Sequence, residues 1–215
     1  MSSLRTSVRT AGVAVRAMLV LTLLLGVGYT LAFTGIGQLI LPWQSNGSQV
    51  DAAGSPTGGW TGGGTPTGSA LIGQSFTDAD GKALPQYFQS RPSAAGEGYD
   101  AASSGGSNLG PENPDLVAAI EERRAAVAER EQVPVSDVPA DAVTASGSGL
   151  DPDISPAYAL LQVPRVAEAR GLGEAEVRAL VESRIQSRDL GFLGAPRVNT
   201  MQLNLALDAL EKESR

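Results

Sequence analysis

Few residues of this 215-residue chain are equipped for chemistry, and the missing types decide as much as those present. There is no Cys and no His. Cysteine nucleophiles, disulfides, zinc–thiolate centres and Ser-His-Asp triads are thereby excluded. The only lysines are Lys82 and Lys212. Lys82 follows Gly81 but precedes Ala83, so the Gly-Lys-Ser/Thr end of a phosphate-cradling loop is missing. There is also no Rossmann glycine fingerprint and no Asp-Lys-Thr phosphorylation motif. Asp151 and Asp153 stand close together, but spacing alone does not make them the carboxylate pair of a glycosidase. Two Gly/Ser runs remain: Ser103-Ser104-Gly105-Gly106-Ser107-Asn108 and Thr144-Ala145-Ser146-Gly147-Ser148-Gly149. Backbone N–H groups in such turns form concavities for anions or phosphates. Their carbonyls and hydroxyls can equally face a dehydrated alkali cation. The plainer reading is two tight connections packed on a core. No catalytic residue and no metal-ligand set is assigned.

Helices must hold these loops. Asn113-Pro114-Asp115 supplies an Asn cap, Pro at the first helical position and an acid at the positive end of the dipole. Leu116, Ile120 and Val127 follow near helical spacing, so a helix is predicted to about Gln132, before Val133-Pro134. Ser155 caps a second helix that opens with Pro156, is kinked or divided at Pro164 and ends near Gly171. Glu174 to about Gln186 makes a third, with Val177, Leu180, Val181 and Ile185 on one side. Residues 69–76, SALIGQSF, read as a short strand. Residues 197–210 stay ambiguous: Asn199 suits a helix cap, yet Met201, Leu203, Leu205 and Leu207 alternate like a strand. Residues 98–114 and 138–156 read as structured loops.

Before this domain lies a hydrophobic segment. No Asp, Glu, Lys or Arg occurs from Ala17 to Val50, and Ala17–Leu41 is an apolar run. A bilayer crossing takes about 20 residues, so one transmembrane helix over 17–41 is expected. The hydroxyls of Thr22, Thr30 and Thr34 can bond back to helix carbonyls. Pro42 and Trp43 supply a helix stop and an interfacial aromatic. Arg5, Arg9 and Arg16 precede the span and no acid accompanies them, which places residues 1–16 in the cytoplasm and the rest outside. Residues 42–68 connect, and residues 69–215 form the exported domain. Within the connection, GSPTGGWTGGGTPTG (54–68) lacks charge and periodicity and reads as a flexible linker or surface insertion, in which Trp60 could touch lipid headgroups or a partner but reads first as a loosely packed aromatic.

The formal net charge is −7. Without residues 1–16 the remainder carries 13 basic and 23 acidic groups. That balance argues against nucleic acid as a partner. The fold class expected is therefore α+β: a single N-terminal membrane helix, then one small extracytoplasmic domain of three or four helices and a few strands.

Several segments together carry a resemblance: YTLAFTGIGQLILPWQSNGS (29–48), SALIGQSF (69–76), YFQSRPSA (87–94), YDAASSGGSNLGP (99–111), DAVTASGSGLDPDISPAYALLQVPRVAEARG (141–171) and GFLGAPRVNTMQLNLALD (191–208). In this order they resemble the C subunit of the bacterial Kdp potassium-transporting ATPase, the KdpC family. SGGSN and TASGSGLDP followed by ISP are its most specific stretches. Asp153 is a departure, since the family usually carries His there.

The resemblance implies a single-span accessory subunit of a potassium uptake complex in the bacterial inner membrane, needed for assembly and activity. Its implied partners are a potassium-selective, channel-like A subunit, the ATP-hydrolysing P-type B subunit, and membrane lipid. It implies no catalysis by the chain itself and no firmly bound cofactor. The family is described as a catalytic chaperone that raises the ATP affinity of the B subunit, with a glutamine and a Ser-Gly-Gly stretch taking part. On this chain those are Gln162 and Ser104, Gly105 and Gly106. Positive-inside topology sets roughly 30 Å of hydrocarbon between these residues and cytoplasmic ATP, so ATP is expected to act through the complex. The alternative is a membrane-anchored module that captures a nucleotide or small anion in its Gly/Ser loops.

Overall fold

A computed structural model of the chain describes residues 2–60 and 62–213. It forms two compact units. One holds the described residues up to Ser48 together with Pro56–Gly64; the other holds Gln49–Ser55 and the chain from Thr65 onward.

The first unit is a long helix with a folded end. α1 (Ser2–Leu21) runs into a π-helical stretch, Thr22–Tyr29, and on into α2 (Thr30–Ile40). Within it Ser7–Ile40, 34 residues, is long and apolar enough to cross a membrane. Its Leu, Val and Phe side chains stand outward, as expected of a surface whose solvent is lipid. Thr34 Oγ1 donates to the Thr30 carbonyl at 2.8 Å, which hides a polar group inside the helix itself. Leu41 leaves helical geometry ahead of Pro42, and one further turn, α3 (Pro42–Ser45), follows.

The second unit is mixed α+β and mostly helical. α4 (Pro114–Glu131) starts as its sequence dictates: Asn113 Oδ1 accepts from the backbone N–H groups of Asp115 and Leu116. α5 (Pro156–Leu161) and α6 (Val163–Arg170) are one helical segment divided at Gln162, just before Pro164. Ser155 caps the first, and Gly171, in the left-handed conformation, ends the second. α7 (Glu174–Ser183) is shorter than its apolar pattern suggested. α5, α6 and α7 pack with α4 and the final helix, α8 (Thr200–Glu213), around Phe88, Val127, Val143, Ile154, Tyr158, Val163, Val166, Val177, Val181, Val198, Leu203 and Leu207.

The strands are only two residues long. β1 (Gln49–Val50) pairs antiparallel with β2 (Gly68–Ser69), and β3 (Asp153–Ile154) with β4 (Val198–Asn199). The strand expected over 69–76 is not formed: only Ser69 belongs to one, and the segment continues through turns. Its apolar members Leu71 and Ile72 are exposed, so burial does not hold it extended. The ambiguous final segment resolves into both alternatives. Val198-Asn199 completes the short ladder, then Asn199 Oδ1 accepts from Gln202 N–H at 3.0 Å and starts α8. The alternating leucines belong to that helix, in which Met201, Leu203, Asn204 and Leu207 are buried.

Candidate functional site

The two Gly/Ser runs, about forty residues apart in sequence, meet in the second unit. Gly105 N–H donates to the Ser148 carbonyl at 2.8 Å, and Ser104 Oγ donates to that same oxygen at 3.1 Å. The contact needs bare backbone on both sides. A Cβ on Gly106 would lie 3.2 Å from the Gly147 oxygen. Gly149 has φ +67°, and a Cβ there would stand 2.7 Å from Ala95 N and 2.8 Å from the Gly105 oxygen. Glycine at these positions thus serves the close approach of two loops. The Ser104 hydroxyl and the Gly105 N–H are thus both directed at Ser148 in this arrangement.

Three residues outside the runs brace the junction. Ser93 Oγ donates to the Gly149 carbonyl at 2.6 Å and accepts from Ala95 and Tyr99 N–H. Arg91 donates to the Thr144 carbonyl and pairs with Asp151 at 2.9 Å. Tyr99 Oη donates to the Arg91 carbonyl at 2.6 Å, and burial pushes its phenol up to about 12. The sequence held a sign of Arg91, the only arginine between Arg16 and Arg123. Beside the junction is a cavity of about 310 Å³. Gly106, Ser107, Asn108, Ile120, Arg123 and Thr144 are among the residues that line it.

Gln162 has a different setting. It is fully buried at the break between α5 and α6 and is not in the lining of that cavity. Its Oε1 accepts from Gln89 N–H at 2.7 Å and from Arg165 at 2.8 Å, and its Nε2 donates to the Gln89 carbonyl at 3.1 Å. The structure therefore joins Ser104, Gly105 and Gly106 to the second Gly/Ser run and keeps Gln162 in a separate internal network. Glu131, with its side chain wholly buried, extends that network by pairing with Arg130 at 2.7 Å and Arg165 at 2.9 Å.

Asp153 lies near the Arg91–Asp151 pair, in a second cavity that Asp151 and Arg197 also line. It pairs with Arg197 at 3.3 Å. Burial and the neighbouring Asp151 carboxylate raise its pKa, while Arg197 and Asn199 oppose them. Asp141 accepts from both the N–H and the hydroxyl of Ser155, fixing the start of α5. Among the described residues no group of three or more acidic side chains is arranged to hold a metal ion.

The family profile described as "K+-transporting ATPase, c chain" matches residues 11–209, which takes in most of the long apolar helix and both Gly/Ser runs. The chain belongs to the KdpC family. A Caulobacter vibrioides protein named potassium-transporting ATPase KdpC subunit is 51% identical over 196 residues, 91% of each chain. KdpC subunits of Kineococcus radiotolerans and Acidobacterium capsulatum are 50% and 48% identical, covering 93% and 92% of this chain and 93% and 96% of their own.

Proposed function

We propose that this chain is the non-catalytic accessory subunit of a bacterial ATP-driven potassium uptake complex, required for assembly and activity. The observation that carries the reading is the family match over 11–209, anchor and domain together. Its partners are the channel-like A subunit and the ATP-hydrolysing B subunit. The helix Ser7–Ile40 spans the bacterial inner membrane, with the arginines of its N-terminal flank inside and the second unit outside. Its effect on ATP is the family's catalytic-chaperone effect, a higher ATP affinity of the B subunit. It is transmitted through the complex, since coupling between sites does not require the subunit to touch the ligand. The closed hydrogen bonding of Gln162 and Ser104 supports this indirect route. The test is to assemble the complex without this chain. Potassium-stimulated ATP hydrolysis is expected to be lost, and full activity of the remaining subunits overturns the proposal.

A second reading, a nucleotide- or anion-capturing module, draws support from the cavity beside the Gly/Ser junction. Calorimetry of the full chain with ATP separates the two, because heat of binding with the chain alone favours capture.

A further inference from the structure

Pro42 creates a defect at the end of the long helix, and Trp60 repairs it. In an α-helix the carbonyl of Gln38 receives the N–H of residue 42, but proline has none. The indole N–H of Trp60, 22 residues further on, donates to that carbonyl at 3.1 Å. Asn46 closes the other side: its Nδ2 donates to the Pro42 carbonyl at 2.6 Å and to Gln38 Oε1 at 3.1 Å. The Gly-rich stretch carrying Trp60 is seated tightly on this end. A Cβ on Gly59 would lie 3.3 Å from Trp43 N and 3.5 Å from Pro42 atoms. Gly58 and Gly62 form a bridge that turns the chain back. Gly58, Gly59, Trp60 and Gly62 therefore have defined contacts within this unit.

The rest of Trp60 has no such cover, and 71% of the residue is exposed. Its nitrogen is held at the level of Gln38, beside Leu39 and Ile40, which are 69% and 71% exposed. If this helix spans a bilayer, a ring projecting at that level meets the boundary between acyl chains and headgroups. Trp, with an apolar body and one polar N–H, suits that layer.

We infer that Gly58, Gly59, Trp60 and Gly62 form an interfacial cap on the outward end of the membrane helix, with the Trp60 ring seated in the phospholipid headgroup boundary. The inference rests on the reading of Ser7–Ile40 as a membrane span. The cap removes an unsatisfied carbonyl from the membrane edge, where it is costly, and fixes the depth of the helix end.

The test uses the full chain in phosphatidylcholine nanodiscs whose acyl chains carry bromine either near the glycerol or near the methyl end. With Trp43→Phe, or Trp43→Tyr where the first does not assemble, Trp60 is the sole tryptophan. Its fluorescence should be quenched mainly by the shallow bromine and resist aqueous acrylamide. A second chain reports the span: Tyr29→Trp with Trp43→Phe and Trp60→Phe, quenched mainly by the deep bromine. Trp60 unquenched while the Tyr29 position is quenched overturns the cap and leaves the span standing. Failure of both probes to sense bromine overturns the span and the cap with it. The same Trp60 probe in the whole potassium-transporting complex must keep its shallow quenching. Loss of quenching there together with acrylamide protection assigns the ring to a protein partner and overturns the lipid assignment.

Discussion

Gln162 and Gln89 bind each other as two strand residues would: the side-chain amide of Gln162 accepts from the N–H and donates to the C=O of Gln89, at 2.7 and 3.1 Å. One side chain thereby satisfies both backbone polar groups of a buried residue that lies outside the regular elements. The glutamine that the family resemblance implicates in handling nucleotide thus holds a buried backbone segment in this fold.

Gln162→Leu should destabilise the second unit by about 2 kcal/mol or more, because it strands a buried N–H and a buried C=O. Urea unfolding of the full chain in detergent measures this. Unchanged stability combined with weaker ATP-driven transport would mean that Gln162 acts on ligand instead.

Glu131 sits between Arg130 and Arg165 with no exposed side-chain surface. Glu131→Gln removes the charge that compensates both, and a cost of about 3–5 kcal/mol is expected. The same unfolding experiment reads it. A loss below about 1 kcal/mol, the worth of an exposed pair, would show that solvent reaches this site.

Gly149→Ala places a Cβ at φ +67° against Ala95 and the Gly105 oxygen. A loss above about 1 kcal/mol is expected, since alanine is strained wherever φ is positive. Gly147→Ala, where a Cβ meets nothing within 4 Å, is the control and should be nearly neutral. Equal effects at both glycines would contradict the junction described above.

Asp153 gives a pH dependence. Its folded-state pKa lies above the ordinary 3.8, chiefly through burial and then through Asp151. The folded state thus holds this proton more tightly than the unfolded chain does. The group's contribution to stability is complete below pH 3.8 and is lost as pH rises through the folded value. Asp153→Asn removes this term. Relative to the unsubstituted chain, it should unfold at higher urea at pH 7 than at pH 4. A gain that shrinks towards neutral pH would mean that the Arg197 pair outweighs burial.

Much of the helical architecture was legible because local residues specify it. Asn113-Pro114, Ser155-Pro156, Pro164 and Gly171 mark starts, a break and an end that do not depend on distant partners. The strands were not legible, because two-residue ladders carry no pattern and the apolar Leu71 and Ile72 of SALIGQSF stay exposed. Residues 197–210 needed tertiary information: Asn199 is both a ladder residue and a cap, and its Nδ2 donates to the Ala70 carbonyl, 129 positions away in sequence. At the candidate site the Gly/Ser runs announced themselves by composition, but not that each closes on the other. The Gln162–Gln89 clamp and the Trp60–Gln38 bond are long-range pairings of polar groups, which no periodicity encodes.

The most direct test asks on which side of the membrane the second unit stands. The chain has no cysteine, so one introduced at exposed Glu97 is a unique thiol. In intact cells an impermeant maleimide should label Glu97→Cys without permeabilisation. A thiol that reacts only after the membrane is opened would put the domain beside cytoplasmic ATP and contradict the indirect role argued here.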